Sequence, residues 1–192
     1  MGAGIKLFVG LGNPGPDYQN TRHNAGVWFL SAIANKYSAT LKSTAKFKGL
    51  FASVTILDSE IKLLFPTTFM NLSGQAVQAV AHFYKISPEE ILILHDELDF
   101  LPGIVRLKFG GGANGHNGLQ DIISKLGSND FYRARIGIGK PIHKQIMTDY
   151  VLNKPTATEK RDIEVAIERA LQAVPDLIQG DFAKATQELN SI

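Results

Sequence analysis

An apolar run from Ile5 to Val9 gives way at Gly10 to a loop carrying three glycines and two prolines before helical patterning begins at Ala25. The run reads as a buried strand, and the loop composition forbids a regular element behind it. A chain that starts this way commits its first strand to a sheet interior and its first loop to a fixed shape. That loop brings Asn13 and His23 to the entrance of the next helix. One is an amide that both donates and accepts; the other is suited to proton transfer near neutral pH.

Gly10, Gly12 and Gly15 match the G-x-G-x-x-G pattern of dinucleotide sites. That pattern needs a helix opening at its last glycine and an acidic residue about 20 positions later. Here Pro16 to Thr21 continues the loop and no acid follows a second strand, so a nucleotide-dependent oxidoreductase is not expected. Gly110, Gly112 and Gly115 repeat the match, which shows how little it carries alone.

The 192 residues suit one domain, and a hydrophobic fraction of 44% is ample for a core. Without cysteine there are no disulfides, cysteine nucleophiles or cysteine-ligated metals. The N-terminus lacks the pattern of a signal peptide, and no apolar run approaches the ~18 residues of a membrane span. A soluble, cytoplasmic protein is expected. The net charge of +2 hides an asymmetry: positions 1–88 hold eight Lys or Arg against three acids, and 104–148 hold seven against two. Such segregation can create a positive face for phosphates, although solvated lysines explain it equally well.

Along the chain, 25–37 is patterned as a helix, 51–57 and 61–65 as a hairpin turning at Asp58-Ser59-Glu60, and 75–84 as an Ala-rich helix. Asn71 or Ser73 can cap that helix. Ser87-Pro88-Glu89-Glu90 is a capped turn into the wholly apolar strand 91–94, which ends in His95-Asp96-Glu97-Leu98-Asp99. Strands at 104–109 and 131–139 flank a glycine-rich loop, 110–118, and a helix, 119–126, which Asn117 can cap. A polar segment, 141–149, precedes C-terminal helices. The order predicts a single α/β domain over 1–192, with a mixed, twisted β-sheet flanked by helices on both faces.

The functional candidates are Asn13, His23, Asn71, Asp96, His116 and Asn117, drawn from four loops. Neutral amides bind peptide groups and can stabilise an oxyanion. A histidine held by an aspartate can activate water, a contribution of about 10²–10⁴-fold. No G-x-S-x-G elbow or H-E-x-x-H motif is present, so direct attack of water on an activated ester fits better than covalent catalysis. Asp96 is best placed to orient a histidine, while solvated acids are the simplest reading of Glu97 and Asp99. His116 competes with His23 for the role of base. His82 reads as a packing or surface group within its helix, His143 as part of a polar loop, and His95 as a buried, hydrogen-bonded group at the strand end.

Gly10-Leu-Gly-Asn-Pro-Gly15, Thr21-Arg-His-Asn-Ala-Gly26, Phe69-Met-Asn-Leu-Ser-Gly74, His95-Asp-Glu-Leu-Asp99 and Gly110-Gly-Gly-Ala-Asn-Gly-His-Asn-Gly118 occur in one order that closely resembles bacterial peptidyl-tRNA hydrolase. The resemblance implies hydrolysis of the ester joining a peptide to tRNA, which recycles tRNA from peptidyl-tRNA released by the ribosome. It implies His23 as catalytic base, Asp96 as its orienting partner, and Asn13, Asn71 and Asn117 as active-site amides. It places Tyr18 and Met70 along the peptide channel, His116 in a supporting position, and Lys108 and Arg135 among the tRNA contacts. It also implies a monomer with no metal or organic cofactor. The glycine-rich stretch 99–118 and the segment 143–150 are candidate lids. A non-catalytic RNA-binding protein on the same fold is the alternative, followed by an esterase for small acyl esters.

Overall fold

The computed structural model describes residues 2–143 and 147–191. Among these, β1 (Leu7–Gly10), β4 (Ser59–Pro66), β5 (Ile91–Glu97) and β7 (Tyr132–Gly137) form the parallel centre of a seven-stranded sheet. The full order is β2-β3-β4-β1-β5-β7-β6, with β2 (Lys42–Thr44), β3 (Gly49–Ile56) and β6 (Val105–Phe109) completing the flanks. Only β3 and β6 run against the rest. The four central strands therefore point their C-terminal ends to one edge, where open α/β sheets hold ligands.

Side chains alternate across this sheet as strand geometry requires. Leu7, Val9, Leu64, Ile91 and Ile93 pack beneath α2 (Ser73–Tyr84) and α3 (Asn117–Leu126). Phe8, Leu63, Leu92 and Leu94 face α1 (Ala25–Lys36), α5 (Ala157–Ala170), α6 (Val174–Gln179) and α7 (Phe182–Asn190). Each fully buried side chain of this size stabilises the fold by about 1.5–3 kcal/mol. The short helix α4 (Met147–Val151) contributes no fully buried residue and touches the second of these cores through Tyr150 and Val151, while Met147, Thr148 and Val151 line the cleft.

The glycines of the first loop serve close approach. A Cβ on Gly10 would stand 2.7 Å from the Gly26 carbonyl, and one on Gly26 would stand 2.0 Å from that of Leu94. These two positions let α1 lie directly on β1 and β5, which accounts for the nucleotide-like spacing.

Several local expectations change. The hairpin turns at Leu57 and Asp58, both at positive φ, rather than at 58–60, because this two-residue turn matches strand twist. The basic stretch 42–48 includes the short edge strand β2. Strand β5 runs on to Glu97, so His95 and Asp96 belong to the sheet itself. Neither Asn71 nor Ser73 caps α2; the Gly74 N–H donates instead to Asp121 Oδ2 of α3, at 2.8 Å. Nor does Asn117 cap α3, a role taken by His116.

Candidate active site

Strand β1 ends at Gly10, and three residues later Asn13 turns back over the sheet edge. Its backbone is held by Asn24: the Asn13 N–H donates to Asn24 Oδ1 at 2.9 Å, and Asn24 Nδ2 donates to the Asn13 carbonyl at 3.0 Å. The Asn13 side chain accepts the Met70 N–H at 2.7 Å through Oδ1. That bond fixes which amide atom is which, leaving Nδ2 as a donor at the cleft. Asn71 and Asn117 are exposed in the same cleft, and their side chains have no protein hydrogen bond among the described residues.

His23 sits on a 3-10 turn, Arg22–Asn24, leading into α1. Its Nδ1 lies 2.9 Å from Asp96 Oδ2 and 3.1 Å from Oδ1. His116 reaches the same carboxylate, with Nε2 2.8 Å from Oδ1. The two rings stand 5.1 Å apart. His116 Nδ1 accepts from the Gly118 and Leu119 N–H groups at the start of α3, at 3.1 and 3.3 Å. A nitrogen that accepts two N–H groups carries no proton, so the His116 proton resides on Nε2 and points at Asp96. Both His116 nitrogens are thus spent within the protein. His23 likewise donates through Nδ1, but its Nε2 remains open to the cleft. The difference between the two histidines arises from the start of helix α3, which occupies His116 Nδ1.

Electrostatics agree with this assignment. Burial by itself would push the Asp96 carboxyl up, but His23 and His116 together hold it well below the usual carboxylate range. For His23, burial works to lower the pKa, while the charge and hydrogen bond of Asp96 outweigh it and leave a net rise. His95 is pushed down to about 3 by burial and by its neighbour His116, so it stays neutral, donating through Nδ1 to the Asp96 carbonyl at 2.8 Å. His23, Asp96 and His116 are the group among the described residues with donor atoms close enough for a metal, within 4.8 Å. The nitrogens facing Asp96 carry protons, however, so this arrangement does not suit a resident cation.

The cleft encloses about 540 Å³. One wall comes from Phe69 to Asn71, another from Met147 to Leu152, and a third from Ala113 to Asn117. The glycine-rich wall is supported from below by Arg133, which donates to the carbonyls of Gly111 and Gly112. At the rim Lys140 pairs with Asp99 at 2.5 Å, and Asn114 donates to Asp99 at 3.4 Å. Glu97 is half-buried, with burial and then Asp99 raising its carboxyl, whereas Asp99 is exposed as expected and ion-paired with Lys140.

The family model for peptidyl-tRNA hydrolase matches residues 7–192. The chain belongs to the peptidyl-tRNA hydrolase family. It is 54% identical to the peptidyl-tRNA hydrolase of Coxiella burnetii over 191 residues, covering all of both chains. Identity to the Neisseria gonorrhoeae peptidyl-tRNA hydrolase is also 54%, over 187 residues and 97% of each chain. The crystal structure of peptidyl-tRNA hydrolase from Acinetobacter baumannii superposes with a TM-score of 0.94 at 48% identity, over 97% of this chain and 94% of that one.

In this member of the peptidyl-tRNA hydrolase family, Asn13, His23, Met70, Asn71, Asp96, His116 and Asn117 converge on one cleft. Tyr18 does not line it; its ring meets Phe69 edge-on at 6.3 Å and so backs the wall. Lys108 and Arg135 lie outside the cleft, Lys108 exposed on β6 and Arg135 on β7 beneath the Phe100 ring at 4.7 Å. His82 and His143 are exposed, which for His82 decides against a packing role. The supporting roles of Asn24, Asp121 and Arg133 escaped sequence reasoning. Asn24 lies within a motif already singled out, but nothing in its spacing shows that it reaches back eleven residues.

Proposed function

We propose that this chain hydrolyses the ester between a peptide and the 3′-terminal ribose of tRNA, with His23 as general base. The observation that carries this reading is the unequal pair of histidines: His116 is saturated, whereas His23 presents Nε2 to the cleft and Nδ1–H to a buried carboxylate. Water bound at Nε2 gives its proton to His23 as its oxygen attacks the ester carbonyl. Asp96 stabilises the resulting imidazolium. The carbonyl oxygen becomes an oxyanion, for which the amide groups of Asn13 and Asn117 are available donors. Collapse breaks the ester bond, and His23 returns the proton to the departing ribose oxygen.

Amides that grip a peptide backbone do so whatever its side chains, which suits a substrate of variable sequence. Lys108 and Arg135, on strands β6 and β7 beside the glycine-rich wall, are assigned to phosphates of the tRNA acceptor end. Such contacts weaken steeply with salt. The chain works as a cytoplasmic monomer of one domain, without a cofactor; no helix among the described residues is long and apolar enough to cross a membrane.

The test is peptide release from N-blocked aminoacyl-tRNA by wild type, His23→Ala and Asn117→Ala. Turnover by wild type, near-total loss in folded His23→Ala and impaired binding or turnover in folded Asn117→Ala are expected. Binding of the tRNA without cleavage by folded wild type would leave the RNA-binding alternative. Normal cleavage by His23→Ala would refute the assignment of the base.

A further inference from the structure

Arg22 precedes His23 and is buried, yet among the described residues its side-chain hydrogen bonds go to Tyr150, Asn153 and Glu159 and not to Asp96 or His116. Its side chain is directed to the other side of the cleft. Nη1 donates to the Tyr150 carbonyl at 3.1 Å and to the Asn153 carbonyl at 3.5 Å, and Nη2 pairs with Glu159 Oε2 at 2.9 Å. The guanidinium lies over the Tyr150 ring, 3.9 Å from its centre, and the Arg22 backbone N–H donates to the Asn153 carbonyl at 3.0 Å. Tyr150 then donates its hydroxyl to the Ile138 carbonyl at 2.7 Å, beyond the end of β7. Glu159 is itself fixed by the Thr156 N–H at the start of α5.

These contacts converge on the C-terminal part of α4 and the residues just after it, while Met147, Thr148, Val151 and Leu152 line the cleft opposite His23. The helix has five residues and fully buries none of them; Tyr150 and Val151 pack only partly buried against the core, so apolar burial alone holds it weakly. We infer that Arg22 is a positioning residue that fixes the α4 wall against the 3-10 turn bearing His23. Base and wall are thereby held as one unit, and the width of the cleft is set by a side chain that touches neither substrate nor catalytic group. A planar guanidinium suits this task because it bridges two carbonyls, a carboxylate and a ring at once; a lysine ammonium cannot meet all four.

This inference rests on the proposed hydrolysis only for its kinetic readout. Full-length wild type, Arg22→Met, Arg22→Lys and Glu159→Gln are compared by hydrogen exchange and by kinetics on N-blocked aminoacyl-tRNA. In Arg22→Met, protection of amides 147–153 is expected to fall about tenfold or more while β1 and β5 stay unchanged. KM should rise about fivefold or more with kcat held within about threefold, because binding surface rather than chemistry is lost. Arg22→Lys and Glu159→Gln should be intermediate in both readouts. They decide the matter if Arg22→Met does not fold. Unchanged protection at 147–153, or a fall in kcat with KM constant, would overturn the inference. A wild type that never cleaves would refute the hydrolase reading instead, and the exchange data would still decide whether Arg22 holds the wall.

Discussion

Replacing Asp96 with asparagine tests the tautomer argument directly. The carboxylate accepts from His23 Nδ1 on one side and His116 Nε2 on the other. Asparagine has one accepting and one donating end. His116 cannot yield, because its Nδ1 is occupied by two N–H groups of α3 and its proton must face residue 96. The asparagine oxygen therefore turns to His116 and its NH₂ turns to His23. His23 must then present a bare Nδ1, moving its proton to Nε2, where a base needs a lone pair. Keeping the productive tautomer would set two donors face to face at a buried site. At about 1–3 kcal/mol for each unmet group, that costs about 2–6 kcal/mol. Loss of the anion that stabilises the imidazolium adds to this, and the analogous aspartate-to-asparagine change in a serine protease triad lowers kcat about 10⁴-fold. Single-turnover peptide release should show kcat down about 10³–10⁴-fold with KM little changed. Adding His116→Ala should let the asparagine turn its oxygen to His23 and recover about tenfold over the single variant. A loss smaller than about tenfold in folded Asp96→Asn, or a double variant no better than the single, would refute the reasoning.

The raised pKa of His23 places the acid limb of kcat/KM above 6.5, since the base acts when neutral. For stability the sign is opposite: protonated His23 bound to Asp96 stabilises the fold fully below the unfolded value, and that contribution is lost as pH rises through the folded pKa. A pH–rate profile with its limb at or below 6.5 would contradict this. Asn24→Ala removes both bonds that hold the Asn13 backbone. Urea unfolding should show a loss of about 2–4 kcal/mol, and kcat/KM should fall at least about tenfold; activity within twofold of wild type would mean the loop holds its own shape. Asp121→Ala removes the acceptor for the Gly74 N–H, so stability should drop by about 1 kcal/mol, with Asp121→Asn milder. Equal stability of all three proteins in urea would remove the cross-helix cap from the account.

Strand and helix patterning was local, and it was readable wherever a side chain's role depended on its near neighbours. The apolar runs at Ile5 and Ile91 and the helix beginning at Ala25 are of this kind. So were the six polar residues of the cleft, because each stands in a short motif at or beside the end of a patterned element. The hairpin turn was misplaced by one residue or so because Leu57 is an unusual occupant of a positive-φ position.

What sequence could not assign was division of labour. Asn117 and His116 are adjacent and either could cap a helix; only the folded chain shows the ring of His116 turned onto the first N–H groups of α3. The same contact fixes that ring's proton and leaves His23 as the histidine proposed to act as base. Likewise Asp121 caps a helix forty-seven residues away, and Arg22 holds a wall 128 residues away. The amino-acid order by itself determined the layered fold, the family and the set of groups available for chemistry, since these follow from periodicity and from motifs a few residues long. Tertiary structure alone decided which histidine can accept a proton, because a hydrogen bond assigns a proton only when both partners are in place.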